Sequence, residues 1–195
     1  MTELLSQDAI VVEQVRKFFE MRNQYGLFAT DGRRIGQVEQ VDQSPFQFLV
    51  RFFSDLDVAL PSTLAVEDAA GQPVLRLHKP WFTWTVEVSR ADGTPLGTIR
   101  KQIRLGKARF TLVAPDGSAA GEVQAQNWRA RNFTVNDAGG QVVATVTKKW
   151  RGLLTESFTD ADTYVVELGS TAEPMRSLAL AASLTVDLVM KQKDA

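Results

Sequence analysis

The sequence contains no cysteine. That removes disulfides, iron–sulfur clusters, cysteine zinc sites, thiol catalysis and palmitoylation. Its single histidine, His78, cannot form a multi-histidine metal site. Neither sign of charge prevails, with 22 Lys and Arg against 23 Asp and Glu and a net of -1 over 195 residues. No bulk charge therefore draws the chain to nucleic acid or membrane. No apolar run reaches the about 20 residues of a membrane span. The most apolar stretch, Leu178 to Met190, includes Ser183, Thr185 and Asp187 and reads as a buried helix. The start, MTELLSQDAIVVEQVRKFF, has no basic, long-apolar, small-residue order of a signal peptide. Phosphate-loop, dinucleotide and nucleophile-elbow motifs are missing too, so a non-enzyme is expected. His78, between Leu77 and Lys79, reads as a polar strand-end residue. A reducing, cytoplasmic compartment fits these absences.

What is present is apolar substance. Hydrophobic residues are 44% and charged residues 23%, ordinary for a globular chain that buries a sizeable core. The expectation is one domain over residues 1–195.

The middle of the chain repeats itself. VEVSRADGTPLGTIRKQ, FTLVAPDGSAAGEVQAQ and FTVNDAGGQVVATVTKK each place an Asp/Gly turn between two β-rich runs. LAVEDAAGQPVLRLHK and YGLFATDGRRIGQVEQ match as well. Asp-Gly between alternating runs is a strong hairpin signal, because such turns need positive φ. Five units give ten antiparallel strands. A final pair is expected at Leu153–Phe158 and Thr163–Leu168.

Two helices are expected beside them. Ser44-Pro45 opens a short one near residues 45–55, with Phe46, Leu49, Val50 and Phe53 on one face. The other runs from about Pro174 to Gln192 and is apolar nearly all round, so protein must surround it. The reading is a mainly β fold: a closed antiparallel barrel of about 12 strands wrapped around this helix. Closure also removes exposed strand edges.

FEMRNQYGLFATDGRRIG, GEVQAQNWRARNFTVNDAGG, TKKWRGLLTESFTDADTYVVEL and LALAASLTVDLVMKQ resemble the phospholipid scramblase and LURP-one-related branch of the Tubby-like superfamily. The likeness is greatest to its short bacterial, scramblase-related members. It implies binding of phospholipid head groups or membrane surfaces and, for some members, calcium-stimulated lipid movement between leaflets. The proline-rich N-terminal region and cysteine cluster of eukaryotic members are missing here. Their proposed calcium segment, roughly Asp-Ala-Asp-Asn-Phe, corresponds to Asp160-Ala161-Asp162-Thr163-Tyr164. Asp160 and Asp162 are thus the metal candidates. With Glu167 they supply fewer than the six to eight oxygens calcium takes, and a tight turn is the favoured reading. No other cofactor is expected.

Charge is unevenly placed along the chain. Residues 76–151 hold 13 Lys and Arg against 5 Asp and Glu, while the remainder holds 9 against 18. The cations cluster between the repeats, away from the Asp/Gly tips. In a meander of hairpins they converge on the barrel end opposite those tips. The candidate ligands for an anionic head group are Lys79, Arg104, Lys107, Arg109, Arg129, Arg131, Lys148, Lys149 and Arg151, with Trp150. Trp81, Phe82, Trp84 and Trp128 accompany them, as suits a lipid interface. Trp81 and Trp84 share no face of a regular strand, so at most one points outward there. Lys101 shares parity with Ile99, Ile103 and Leu105, the apolar face, and is either at a strand end or directed into the barrel, where it needs a partner.

The expected function is non-enzymatic binding of an anionic phospholipid or similar ligand, by a monomer, at the inner membrane face. The alternatives are a true scramblase moving lipids between leaflets, a nucleic-acid binder using the same basic rim, and an interior small-molecule carrier. The net charge and lack of a recognition motif argue against nucleic acid. The helix would already fill the carrier's interior.

Overall fold

In the computed structural model, residues 2–14, 23–41, 61–104, 107–127, 132–147, 163–169 and 172–191 are described. A short helix α1 (Glu3–Ser6) precedes β1 (Ala9–Gln14). Five hairpins follow: β2 (Asn23–Phe28) with β3 (Arg34–Gln40), β4 (Ser62–Asp68) with β5 (Pro73–Lys79), β6 (Thr85–Arg90) with β7 (Pro95–Arg104), β8 (Lys107–Val113) with β9 (Ala119–Asn127), and β10 (Asn132–Asp137) with β11 (Val142–Thr147). Then come β12 (Thr163–Leu168) and α2 (Met175–Lys191). The strands pair antiparallel in sequence order, and β1 closes the barrel between β2 and β12.

The hairpin turns follow the chemistry read from the sequence. In each, a tight turn ends on a glycine in the left-handed region: Gly32, Gly71, Gly93, Gly117 and Gly140 have φ of 74° to 86°. The turn aspartates fold back on the backbone. Asp92 accepts from the Thr94 N–H at 2.9 Å, and Asp116 from the Ser118 N–H at 2.9 Å and its hydroxyl at 2.7 Å. All five turns lie at one end of the barrel, hereafter the turn end. The connections between hairpins leave from the loop end.

β12 occupies Thr163–Leu168 as expected, whereas β1 is a strand the sequence reading did not name. The segment 153–158, and the helix expected near 45–55, lie outside the described residues. β1 instead sits beside β12, with Ile10 opposite Val166 and Val12 opposite Tyr164. Its signal was hidden because both faces are covered: Val11 and its partner Val165 are as buried as Ile10 and Val12. Such a strand reads as a continuous apolar run, without the period of two.

Register assigns the faces. Leu64, Leu75, Leu77, Val88, Ile99, Phe110, Leu112, Val123, Phe133 and Val135 are buried in the core, whereas Arg76, Glu87, Arg100 and Arg109 are exposed. Apolar inside and charged outside is the reverse of the alternation in membrane-spanning barrels.

The core is completed by α2. Leu178, Ala179, Leu180, Ala181, Ala182, Leu184 and Val186 are all buried, and the helix contacts β5, β6, β7, β8, β10, β11 and β12. Its 17 residues span about 25 Å, close to the height of six-to-seven-residue strands at about 3.3 Å each. Two polar side chains enter this core without orphaned hydroxyls. Ser183 donates to the Ala179 carbonyl at 2.9 Å and Thr185 to that of Ala181 at 2.8 Å. Gly97 admits the helix closely. It has φ 144°, and a Cβ there would lie 2.4 Å from the Val113 carbonyl oxygen and 3.3 Å from Leu178.

The N-terminal end of α2 is fastened by Arg176, which is 6% exposed. Its guanidinium donates to the carbonyls of Leu5 (2.6 Å), Gly169 (2.9 Å) and Gln7. One side chain thereby ties the central helix to α1 and to the end of β12.

Three of the turn carboxylates, Asp31, Asp92 and Asp116, are held below the ordinary carboxylate range by hydrogen bonds within their turns. Asp31 is lowered first by the Arg33 N–H, Asp92 by the Thr94 N–H, and Asp116 by the Ser118 hydroxyl. A depressed folded pKa gives stabilisation that is present above the unfolded value and lost as pH falls through the folded one. Carboxyl carbon shifts followed by NMR are expected to give midpoints below 3.8 for all three. Midpoints at or above that value would contradict the turn geometry.

Candidate lipid-facing end

The hairpin repeat puts aspartates in the turns, where Arg33, Arg34 and Arg90 accompany them, and ends β5, β7 and β8 with Lys79, Arg104 and Lys107 at the opposite end. Asp31, Asp68, Asp92, Asp116 and Asp137 occupy the turn end. A groove of about 460 Å³ there, beside the start of α2, is lined by Leu96, Ala120, Met175 and Leu178, with Asp137 and Glu173. Its carboxylates are unsuited to an anion.

At the loop end, β7 and β8 finish with Arg104 opposite Lys107. Lys79 closes β5 opposite Ser62 of β4. Three of the candidate ligands thus share one arc, from β5 to β8. The last residues of α2 are at this end too, because its first turns pack at the turn end. Helix carbonyls there give the mouth a partial negative charge that favours cations.

Lys101 faces inward, one of the two placements its parity left open. It lies opposite Phe110 and is 8% exposed. Its Nζ stands 3.9 Å from the centroid of the Trp84 ring, and its N–H donates to the Trp84 carbonyl at 3.0 Å. The partner demanded by the sequence is in part an aromatic face, a favourable seat for a desolvated cation.

Arg109 is on the outer wall and already engaged. It forms an ion pair with Glu122, with Nε 3.1 Å from Oε2. The Glu122 carboxyl is held below its ordinary range by hydrogen bonds from Gln124 and then Arg109. His78 shares a 2.9 Å hydrogen bond between Nδ1 and Thr63 Oγ1 on the adjacent strand, which fits a structural role. Arg129, Arg131, Lys148, Lys149, Trp150 and Arg151 lie outside the described residues, as do Asp160 and Asp162. Among the described residues, no group of three or more His, Asp or Glu could hold a metal ion, and no helix is long and apolar enough to cross a membrane.

Strand parity does not apply to the tryptophans Trp81 and Trp84, which lie outside the regular strands. Trp81 and Trp84 are both exposed, because both precede β6 and so escape its alternation. Thr83 shapes the approach, its hydroxyl accepting the Thr85 N–H at 3.0 Å.

The chain is similar to known proteins in fold and in sequence. A plant protein of Arabidopsis thaliana, solved by X-ray crystallography, superposes with a TM-score of 0.53 at 18% identity, covering 96% of this chain and 92% of that one. That likeness shows the fold, a Tubby-like barrel. In sequence, the chain is 24% identical over 201 residues to altered inheritance rate of mitochondria protein 25 of Saccharomyces cerevisiae. It is 26% identical over 189 residues to a phospholipid scramblase family protein of Schizosaccharomyces pombe. The aligned parts cover 87% of this chain in both cases, but 61% and 48% of those longer relatives. The Scramblase family model matches residues 1–192. With one model running from α1 to the end of the central helix, the chain belongs to the Scramblase family.

Proposed function

We propose that this protein is a non-enzymatic phospholipid-binding member of its family, working as a peripheral monomer at the inner membrane surface. The loop end of the barrel meets the anionic head groups. The ligands are Lys79, Arg104 and Lys107, together with Arg129, Arg131, Lys148, Lys149, Arg151 and Trp150, while Arg109 stays in its pair with Glu122. One observation supports this reading: the five turn aspartates gather at the turn end, while Lys79, Arg104 and Lys107 close neighbouring strands at the loop end. Family membership supports a lipid-related role. Each Lys or Arg near such a surface contributes about 1 kcal/mol, enough in sum for reversible docking without an anchor. Among the described residues nothing favours lipid movement between leaflets, since α2 forms the barrel core and the outer wall carries charged side chains.

Vesicle flotation tests the proposal. The protein is expected to float with vesicles of phosphatidylcholine mixed with phosphatidylserine, and much less with phosphatidylcholine alone. Binding should fall steeply with salt, because charges at a surface are screened over about 8 Å at physiological ionic strength. Equal flotation with both vesicles, or none with either, would refute it.

A further inference from the structure

We propose that the loop between β5 and β6, residues 80–84, is an insertion element that carries Trp81 and Phe82 into the head-group layer of a bilayer; this deepens the lipid-binding reading and rests on it. Among the described residues, the exposed large apolar side chains are Val41, Trp81, Phe82, Trp84 and Val142. All but Val142 are at the loop end. Trp81 is 56% exposed and Phe82 78%, and their ring centroids are 6.1 Å apart, so they form one projecting patch. Phe82 has φ 53°, a left-handed conformation that is an outlier for a bulky residue. The backbone thus holds a strained geometry in which an aromatic ring is given to solvent, and such strain concentrates at binding sites.

The surroundings select the occupant. Lys79 stands before the loop, Lys101 is stacked on Trp84 at its base, and residues 79–86 contain no acidic side chain. Aromatic rings edged by cations match the two layers of an anionic membrane surface, apolar beneath and negative above. A five-residue loop offers too little area for a stable protein interface, which buries more than about 1,000 Å². Insertion needs only the depth of a side chain.

Vesicles of phosphatidylcholine mixed with phosphatidylserine, carrying acyl chains brominated near the head group, provide the test. Intrinsic fluorescence of the wild type should be quenched and blue-shifted on binding. In a W128F/W150F background, which leaves Trp81 and Trp84 as the only indole reporters, adding W81F should leave binding in place but remove most of that quenching. W81A/F82A should bind at least tenfold more weakly, with the same salt dependence and an unchanged thermal midpoint. Wild type that binds while W81A/F82A binds equally well, with quenching unchanged by W81F in the W128F/W150F background, overturns insertion and leaves the charge-based reading standing. Weak, Phe82-dependent binding to pure phosphatidylcholine, with no gain from phosphatidylserine, overturns the charge-based reading and supports insertion. No vesicle binding at all overturns both. A dimer that W81A/F82A abolishes, in a protein that leaves vesicles unquenched, identifies a second copy as the occupant and overturns insertion.

Discussion

Shortening Leu184 to Ala is expected to lower stability by about 2–5 kcal/mol. The residue is fully buried near the middle of α2, inside a ring of strands that are hydrogen-bonded to one another all the way round. A closed barrel cannot contract onto the void as an open sandwich can, so the upper half of that range is favoured. Removing residues 174–195 goes further and leaves the inward rows of Leu, Val and Phe facing an empty lumen. That variant should be insoluble or molten, with near-ultraviolet circular dichroism lost and a hydrophobic dye bound. Urea denaturation measures the first effect. A Leu184→Ala protein within about 0.5 kcal/mol of wild type, the usual scale of a surface change, would contradict a helix in the core.

Arg176→Ala is the second large effect. The substitution strips three backbone carbonyls of a charged donor at once, two of them on the N-terminal segment and one just after β12. Hydrogen bonds to charged groups contribute about 1.5–3 kcal/mol each. Burying the guanidinium offsets part of that sum, so a net loss of about 3 kcal/mol is expected. Arg176→Lys should recover only a part, because an ammonium lacks the planar fork that reaches three acceptors. Hydrogen exchange in residues 2–8 should rise in the Ala variant before the barrel itself opens. Unchanged exchange there, with stability near wild type, would show that Arg176 is not the fastener.

The fold was legible in the sequence wherever local chemistry decides local shape. Asp and Gly at the five turns specify positive φ in any context, and the register of each hairpin follows. The all-round apolar character of Leu178–Val186 has one remedy, burial inside other elements. β1 was not legible, because Ile10-Val11-Val12 is covered on both faces and carries no alternation. Arg176 was not legible either, since its acceptors at Leu5, Gln7 and Gly169 come from segments far apart in sequence. Of the candidate site, parity left Lys101 either at a strand end or inside the barrel, and its Trp84 partner was not legible, since pairing across β6 and β7 fixes it. The exposed state of Trp81 and Trp84 depended on where β6 begins, a boundary that alternation alone sets poorly. The pairing of Arg109 with Glu122 needed the β8–β9 register.

The central claim, that one end of the barrel faces anionic lipid, is tested most directly by two double reversals of equal charge. R104E/K107E alters the loop end, and R33E/R34E alters the turn end. Both change the net charge by the same amount, so general attraction is held constant. Affinity for vesicles of phosphatidylcholine mixed with phosphatidylserine is the quantity to measure, at low and physiological salt. The account predicts a loss of about 30-fold or more for R104E/K107E, from about 1 kcal/mol per removed cation plus the repulsion of the new charges. It predicts little change for R33E/R34E. Equal losses in the two variants, or full binding by R104E/K107E, would contradict it.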